Sequence, residues 1–355
     1  MAYVAVSGGK EAIEESARLL DFYKSGTDKD IEIEAIENKL SLLVDRVMCE
    51  AGLYAKTYAA LALKQCEGSV EEAVFLLRAY RSTLTRNYYT NTVNTSEMRV
   101  VRRISAAFKD IIGGQILGAT YDYTHRLINF DADKDNPAEL RRLTIDSLAA
   151  QTPEDIVLCP RVSDALKEEG LIDNCERNEH NPHDVTVNML SFPAARSARL
   201  QTLSRADTGF ISGLAYSALR GFGQEHPTVG ELRCGYVELY VPYMPDESES
   251  IYIGEILMTE VECFCKADDK WQLKLAVGYG AVFGRNENKA ISMAVIDREL
   301  DNGGPYPVQN EEFVLMHGDS LEMNGFISHL KLPHYVTFQS KLDAVRKTRG
   351  PDDEQ

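Results

Sequence analysis

Tryptophan occurs once and cysteine seven times in 355 residues. The cysteines are odd in number and scattered, with no C-x-x-C pair, which disfavours a disulfide framework or a paired-cysteine metal site and fits reduced thiols. Cys263 and Cys265 come closest; two apart on a probable strand, they share a face and read as small buried residues. Long apolar runs are also missing: no stretch approaches the ~18 uninterrupted apolar residues of a membrane span. Nor does a basic leader with an apolar run of about 7–15 residues open the chain. The expected location is the cytoplasm. Positive charge is the remaining deficit, with 38 Lys and Arg against 55 Asp and Glu and a formal charge of -17. Such a field repels polyanions, so nucleic-acid and membrane-surface roles are not expected, and an anionic substrate needs a local basic pocket.

What is abundant is apolar content, 44% of the chain, which excludes a disordered protein and at this length implies roughly two or three domains' worth of core. Ile36, Leu40, Leu43, Val44, Val47 and Met48 recur in steps of three and four, predicting one amphipathic helix from Ile33 to Met48. A second helix is expected over Tyr58–Cys66, punctuated by Gly52 before it and Gly68 after it. Ser69-Val-Glu-Glu72 reads as a capping box opening a helix through Leu84. This trio superficially resembles a ubiquitin-associated module, but the pattern is generic to small helical hairpins. Residues 131–190 are broken by Asp, Asn and Pro clusters and read as an irregular surface excursion. Glu231–Tyr243, Ile251–Cys265 and Trp271–Phe283 have strand length and composition and predict an antiparallel sheet, followed by a helix over Asn286–Leu300. The fold class is α+β: a mainly helical domain over 1–130, the excursion, a sheet-containing domain with flanking helices over 191–345, and an acidic tail over 346–355.

Between Arg78 and Arg126 lie eight basic residues, Arg78, Arg81, Arg86, Arg99, Arg102, Arg103, Lys109 and Arg126, against three acidic ones, a local excess of five positive charges. A charge run is commonly a solvated face. Here it competes with a phosphate site, because it leads into Gly113-Gly114-Gln-Ile-Leu-Gly118, where glycines let backbone amides approach anionic oxygens. Neither this turn nor Ser7-Gly8-Gly9-Lys10 has P-loop spacing, and the latter reads as a strand-to-helix turn. Asp122 and His125, three apart, suit an acid–base pair on a helical turn, though a structural pairing is common. A second arginine set, Arg196, Arg199, Arg205 and Arg220, suits bidentate recognition of phosphate or phosphonate. On the strand Gly254–Glu262, Glu260 and Glu262 share one face and Glu255 takes the other, either as solvated carboxylates or as stabilisers of a cationic intermediate. His329 and His334 are five apart and separated by Pro333, so they do not match the i,i+4 pair of a helical zinc site. Two histidines fall short of the three or four ligands that zinc takes, so a metal there requires a ligand from elsewhere, including another chain.

Several longer strings together resemble the PhnI family, the nucleosidase subunits of the carbon-phosphorus lyase core complex. They include Tyr3-Val-Ala-Val-Ser-Gly-Gly-Lys10, Phe75-Leu-Leu-Arg-Ala-Tyr-Arg81, Arg102-Arg-Ile-Ser105, Gly113-Gly-Gln115 and Thr120-Tyr-Asp-Tyr-Thr-His-Arg-Leu127. They continue with Ser197-Ala-Arg-Leu-Gln201, Gly254-Glu-Ile-Leu-Met-Thr-Glu260, Gly278-Tyr-Gly-Ala-Val-Phe-Gly284 and Gly325-Phe-Ile-Ser-His-Leu-Lys-Leu-Pro-His-Tyr-Val336. The resemblance covers most of the chain and omits 131–188 and the acidic tail.

The resemblance implies a transferase subunit that, with its partners, replaces the adenine of MgATP by a phosphonate such as methylphosphonate. The implied product is α-D-ribose 1-methylphosphonate 5-triphosphate, and the subunit alone is expected to hydrolyse purine nucleoside triphosphates, ATP or GTP, at the glycosidic bond. Implied partners are the iron-sulfur, S-adenosylmethionine-dependent lyase subunit, the other core subunits, an ATP-binding-cassette-type subunit and a second copy of the chain. His329 and His334 look like zinc ligands at the contact with the lyase subunit. Expelling a purine builds oxocarbenium character on the sugar and negative charge on the base, which calls for a carboxylate and a proton donor. The expected roles are therefore acid–base work by His125 with Asp122, oxocarbenium stabilisation by Glu255 or Glu260, and anion binding by Arg78, Arg81, Arg102, Arg103, Arg126, Arg196 and Arg199 with Gly113 and Gly114. One charge pair at 4 Å is worth about 4 kcal/mol at an effective dielectric near 20, so two or three arginines outweigh the global field. The competing class is a scaffold that positions partner subunits, with composite sites at interfaces.

Overall fold

The computed structural model describes residues 9–26, 30–131, 136–149, 159–172, 182–224, 226–243, 246–268 and 273–349. In chain order the helices are α1 (Gly9–Lys24), α2 (Ile33–Lys39), α3 (Ser41–Ala51), α4 (Lys56–Gln65), α5 (Val70–Ser82), α6 (Pro137–Ala149), α7 (Val162–Glu168), α8 (Arg196–Arg205) and α9 (Thr208–Ser217). They continue with α10 (Glu287–Asn302), α11 (Glu311–His317), α12 (Ser320–Ser328) and α13 (Tyr335–Thr348). The strands are β1 (Arg99–Ser105), β2 (Thr228–Tyr243), β3 (Asp246–Asp268) and β4 (Leu273–Phe283). An α+β fold with an antiparallel sheet is thus observed.

The chain divides into two compact units along lines different from the linear division expected from sequence. One comprises Met1–Thr85, Asn181–Ser217 and Gly303–Gln355, the other Arg86–His180 and Ala218–Asn302. The first is helical. Val44, Val47, Met48 and Ala51 of α3 pack against Ala59, Ala60 and Leu63 of α4 and Ala73, Val74 and Leu77 of α5. The alanines let the helix axes approach, and each fully buried larger side chain contributes about 1.5–3 kcal/mol. The single helix expected over Ile33–Met48 breaks at Leu40, whose φ of -112° and ψ of 30° are not helical. Periodicity alone misses the break because both halves carry the same stripe, yet α2 packs on α4 while α3 packs on both α4 and α5. Gly52 closes α3 at a φ of 64°, where the Leu53 amide reaches back to the Met48 carbonyl. Only half of the expected capping box forms: the Ser69 hydroxyl accepts from the Glu72 amide, while the Ser69 amide donates to the Cys66 carbonyl.

The second unit is built on the sheet, in the order β1-β2-β3-β4 with all pairs antiparallel. β1 was hidden in the sequence by its charge, since Arg99-Val-Val-Arg-Arg-Ile-Ser105 lacks clean alternation and sits inside the basic island. Its edge is covered by the glycine turn. Arg103 exchanges backbone hydrogen bonds with Ile116, and the Gln115 side-chain amide pairs with the Ser105 backbone in both directions, at 2.8 and 2.6 Å.

The two faces of the sheet differ in chemistry. On one, Val261, Cys263, Gly278 and Gly280 lie under α10, and a methyl at Gly278 or Gly280 would overlap the backbone carbonyl of Ala294 or Ala290. Cys263 is fully buried there, and its desolvation, reinforced by Cys265 and Glu262, pushes the thiol up to about 12. The opposite face carries charge. Arg103, Glu231, Arg233, Glu260 and Glu262 are each 4% exposed or less, and their partners come from the sheet and from the segments laid over it. Arg103 Nε binds Glu231 Oε1 at 2.6 Å; the Val162 amide donates to Glu231, and Ser163 donates to Glu262 from both backbone and hydroxyl. Tyr279 donates to Glu260 at 2.9 Å, and Arg233 donates to the Thr95 carbonyl at 3.0 Å. Part of the expected surface excursion is therefore core: Cys159, Val162, Ser163 and Ile172 are buried, and the Val162 and Ser163 amides with the Ser163 hydroxyl bind the carboxylates of Glu231 and Glu262.

Burial raises the Glu260 carboxyl above its ordinary range, against the opposing pull of Arg233, Thr95 and Tyr279. Burial also raises Glu262, with Ser163 opposing and Glu260 reinforcing the shift. A raised carboxyl contributes most below its unfolded pKa, near 4.5, and that contribution is lost as pH climbs through the folded value. In thermal melts from pH 5 to 8, Glu260→Gln is expected to gain stability relative to the parent as pH rises, and a pH-independent difference would refute this. Gly280→Ala is expected to lose ~2–3 kcal/mol in denaturant unfolding by forcing α10 off β4, and an unchanged midpoint would count against the close packing.

Candidate functional site

Four of the residues singled out from sequence gather on one turn of the sheet-bearing unit. Arg102, 6% exposed on β1, donates from Nη2 to Asp122 at 2.6 Å and from Nε to Glu287, the first residue of α10, also at 2.6 Å. It also donates to the Leu117 carbonyl. Burial alone would lower its pKa, but Glu287 and Asp122 outweigh that and raise it. Arg126 approaches the other Asp122 oxygen at 3.3 Å. Its φ of 53° is left-handed, a conformation that non-glycine residues adopt at a cost and that clusters at functional sites. His125 is exposed between them. The Asp122–His125 segment is a turn and not the helical turn expected, and Asp122 is engaged by two guanidiniums. Tyr121, Thr124, His125 and Arg126 line an open surface depression with Leu127, Ile128 and Asn129. A carboxylate fixed between two cations beside an exposed imidazole is equipped to face a developing positive charge and to pass a proton.

The glycine turn does different work from that expected. Gly113 has a φ of 113°, and a methyl on it would meet the Arg103 guanidinium and the Cys159 sulfur. Arg103 donates to the carbonyls of Ile112 and Gly114 at 3.0 and 3.4 Å and to that of Pro160 at 3.3 Å. The turn thus offers carbonyls to a buried cation instead of amides to an anion, and Arg103 itself is fully buried.

The remaining candidates lie elsewhere. Glu255 is on the exposed part of β3, bound to Arg99 at 2.7 Å, whereas Glu260 is inside the charged sheet face. The odd–even alternation assigned these faces correctly, but the solvated pair considered for Glu260 and Glu262 is not observed; both are enclosed. Arg78, Arg81, Arg196 and Arg199 belong to the helical unit. Arg78 donates to the Glu50 carbonyl at 3.1 and 2.7 Å, to the Arg205 carbonyl at 3.3 Å and to Asp319. Arg81 donates to the carbonyls of Ala51 and Gly52, and Arg199 lies 4.0 Å from Glu311. The basic island that is continuous in sequence is thus shared between two units.

His329 and His334 do come together, with ring centres 5.6 Å apart and planes at 88°. His329 Nδ1 contacts the Phe326 carbonyl, so Nε2 is the nitrogen that a metal would take. Two imidazoles on one tetrahedral zinc, with Zn–N bonds of about 2.0–2.1 Å, bring their centres to ~5 Å, so the pair fits half of a zinc site. Among the described residues no three His, Cys, Asp or Glu side chains gather as a metal site. Phe326, whose ring lies 5.0 Å from that of His329, is exposed, as are Ile327, Leu330, Val336 and Phe338 nearby in the chain.

Sequence reasoning missed Glu231, Arg233, Arg161, Asp164 and Tyr279. Arg161 and Asp164 form a two-bond pair at 2.9 and 2.7 Å that, with Ser96, holds Asp164 down to about 2 against its desolvation. The available signal was alternation: Glu231 and Arg233 on β2 stand opposite Glu262 and Glu260 on β3, but strand pairing is needed to see it.

No helix among the described residues is long and apolar enough to cross a membrane. Against known proteins, residues 2–352 match the family described as PhnI, bacterial phosphonate metabolism protein. The chain is 45% identical to a putative C-P lyase subunit protein, HtxH, of Stutzerimonas stutzeri, over 98% of this chain and 96% of that one. It is 43% identical to the alpha-D-ribose 1-methylphosphonate 5-triphosphate synthase subunit PhnI of Rhizobium meliloti (strain 1021), over 99% and 96%. The Escherichia coli (strain K12) protein of the same name is also 43% identical, over 97% and 98%. With this likeness running from end to end, the chain belongs to the PhnI family of bacterial phosphonate metabolism proteins.

Proposed function

We propose that this chain is a synthase subunit of a carbon-phosphorus lyase pathway that exchanges the purine of MgATP for a phosphonate, giving α-D-ribose 1-methylphosphonate 5-triphosphate from methylphosphonate. Alone, it hydrolyses purine nucleoside triphosphates at the glycosidic bond. The observation that carries this reading is the full-length similarity to two synthase subunits of that name. The Asp122 turn supplies fitting chemistry. The Asp122 carboxylate, gripped by Arg102 and Arg126, faces the cationic anomeric carbon as the bond to the base breaks. His125 delivers a proton to the departing purine, and the phosphonate oxygen enters from the opposite side, which accounts for inversion from a β-nucleotide to an α-product. Arg126 adds positive charge for the incoming anion. Neither Glu255, bound to Arg99, nor the buried Glu260 is assigned to this step.

The chain works with the other core subunits, including the iron-sulfur, S-adenosylmethionine-dependent lyase subunit, and with an ATP-binding-cassette-type subunit. Magnesium enters with ATP as part of the substrate. His329 and His334 hold a zinc ion completed by ligands of a partner subunit, and the apolar side chains around them are covered in that contact; zinc there supplies a structural cross-link.

Incubating the purified chain with ATP or GTP is expected to release free purine, with His125→Ala and Asp122→Asn each losing about 100-fold in rate. Activity within about threefold of the parent would remove that residue from the mechanism. Purine release that appears only when partners and methylphosphonate are added would favour the scaffold reading, with the site shared between subunits. Elemental analysis of the assembled complex is expected to lose one zinc per chain in a His329→Ala, His334→Ala double variant, and retained zinc would refute the assignment.

A further inference from the structure

A second concentration of positive charge lies wholly inside the helical unit, at the C-terminal end of α3. Arg205, the last residue of α8, stands beside Arg78 and Arg81 of α5. Its Nε is buried and has no hydrogen-bond partner among the described residues. One turn earlier on the same helix, Thr202 buries a hydroxyl that likewise has none. The two carboxylates that offset the repulsion on Arg205 are themselves engaged: Asp319 binds Arg78, and Asp184 accepts from Thr186. Desolvation, with Arg78 and Arg81 adding repulsion, lowers Arg205 to about 10. A cation so placed is short of negative charge and of acceptors.

Gly52 sets the geometry. A methyl on it would lie 2.8 Å from Arg81 Nη1 and 3.1 Å from Arg205 Nε, so both guanidiniums converge on one point of the chain that only glycine leaves open. The Gly52 carbonyl already accepts from Arg81 at 3.4 Å, which fixes that fork while leaving Arg205 Nε unsatisfied.

We propose that Arg205, flanked by Arg78 and Arg81, forms an oxyanion site within the helical unit that receives a phosphorus oxyanion, either the polyphosphate of a nucleotide or a free phosphonate. The planar fork of Arg205 offers donors to two oxygens of one tetrahedral group, and its neighbours add charge without rearranging. That the anion carries phosphorus rests on the function proposed above; that the cluster takes an oxyanion does not.

Calorimetric titration of the full chain with methylphosphonate, inorganic phosphate and ATP separates the sources. Arg205→Met is expected to weaken binding of at least one probe about tenfold. Loss for methylphosphonate alone identifies the phosphonate, and loss for ATP alone identifies the polyphosphate. Equal affinity of parent and Arg205→Met for all three overturns the site. Should Arg205→Met fail to fold in a circular-dichroism melt, Arg205→Lys keeps the charge but not the fork and is expected to bind more weakly than the parent; parent-like binding in it overturns the site. Purine release by the same preparations reports the proposed activity separately. Release with unchanged probe binding in the variant removes the site and leaves the activity, whereas weakened binding without release in any preparation leaves the site and removes the activity.

Discussion

The sheet-bearing unit depends on a buried electrostatic face. Arg103, Arg233, Glu231, Glu260 and Glu262 are withdrawn from water together, and isolated charges cannot be buried in this way without partners, so the covering segments are obliged to bring donors. Val162, Ser163 and Tyr279 supply them. The consequence is specificity of register: a shift of one residue along β2 would turn Glu231 and Arg233, and one along β3 would turn Glu260 and Glu262, onto the face where α10 packs. The face under α10 adds a steric condition, because Gly278 and Gly280 admit the helix backbone directly.

This arrangement positions the candidate catalytic turn. Arg102 and Arg103 are neighbours on β1 with opposite destinations: one goes down into the charged face with Glu231, the other to Glu287 and Asp122. The glycine turn is tied to the first, and the Asp122 turn to the second. The exposed Asp122–Arg126 segment is therefore anchored by a side chain that is itself almost wholly buried, which gives an exposed carboxylate a fixed place.

Within the helical unit, α2 to α5 were legible from periodicity, since the apolar stripe of α3 and the Ser69 cap are local features. The break at Leu40 was not, because it reflects which helix each half packs on. β1 escaped notice because Arg102 and Arg103, which look like part of a solvated run, are buried and satisfied by partners about 10 to 185 residues away in the chain. The glycines at 113 and 114 were recognised as a special turn, but their partner is a guanidinium, a fact carried by Cys159 and Arg103 approaching from elsewhere. His329 and His334 were recognised as a pair, and the bend at Pro333 that denies them a common helix brings their rings together.

Sequence by itself determined the α+β class, three of the four strands, helices α2 to α5 and α10 and, through strings spread along the chain, the family. These depend on local periodicity and on the order of residues, both of which are properties of a line. Tertiary structure alone decided that the basic island is divided between two units, that Glu260 is enclosed while Asp122 is presented, and that Arg205 lies beside Arg78 and Arg81. The reason is that a charge acquires its meaning from what surrounds it within a few ångströms, and those neighbours are chosen by strand register and helix packing across long separations in the chain.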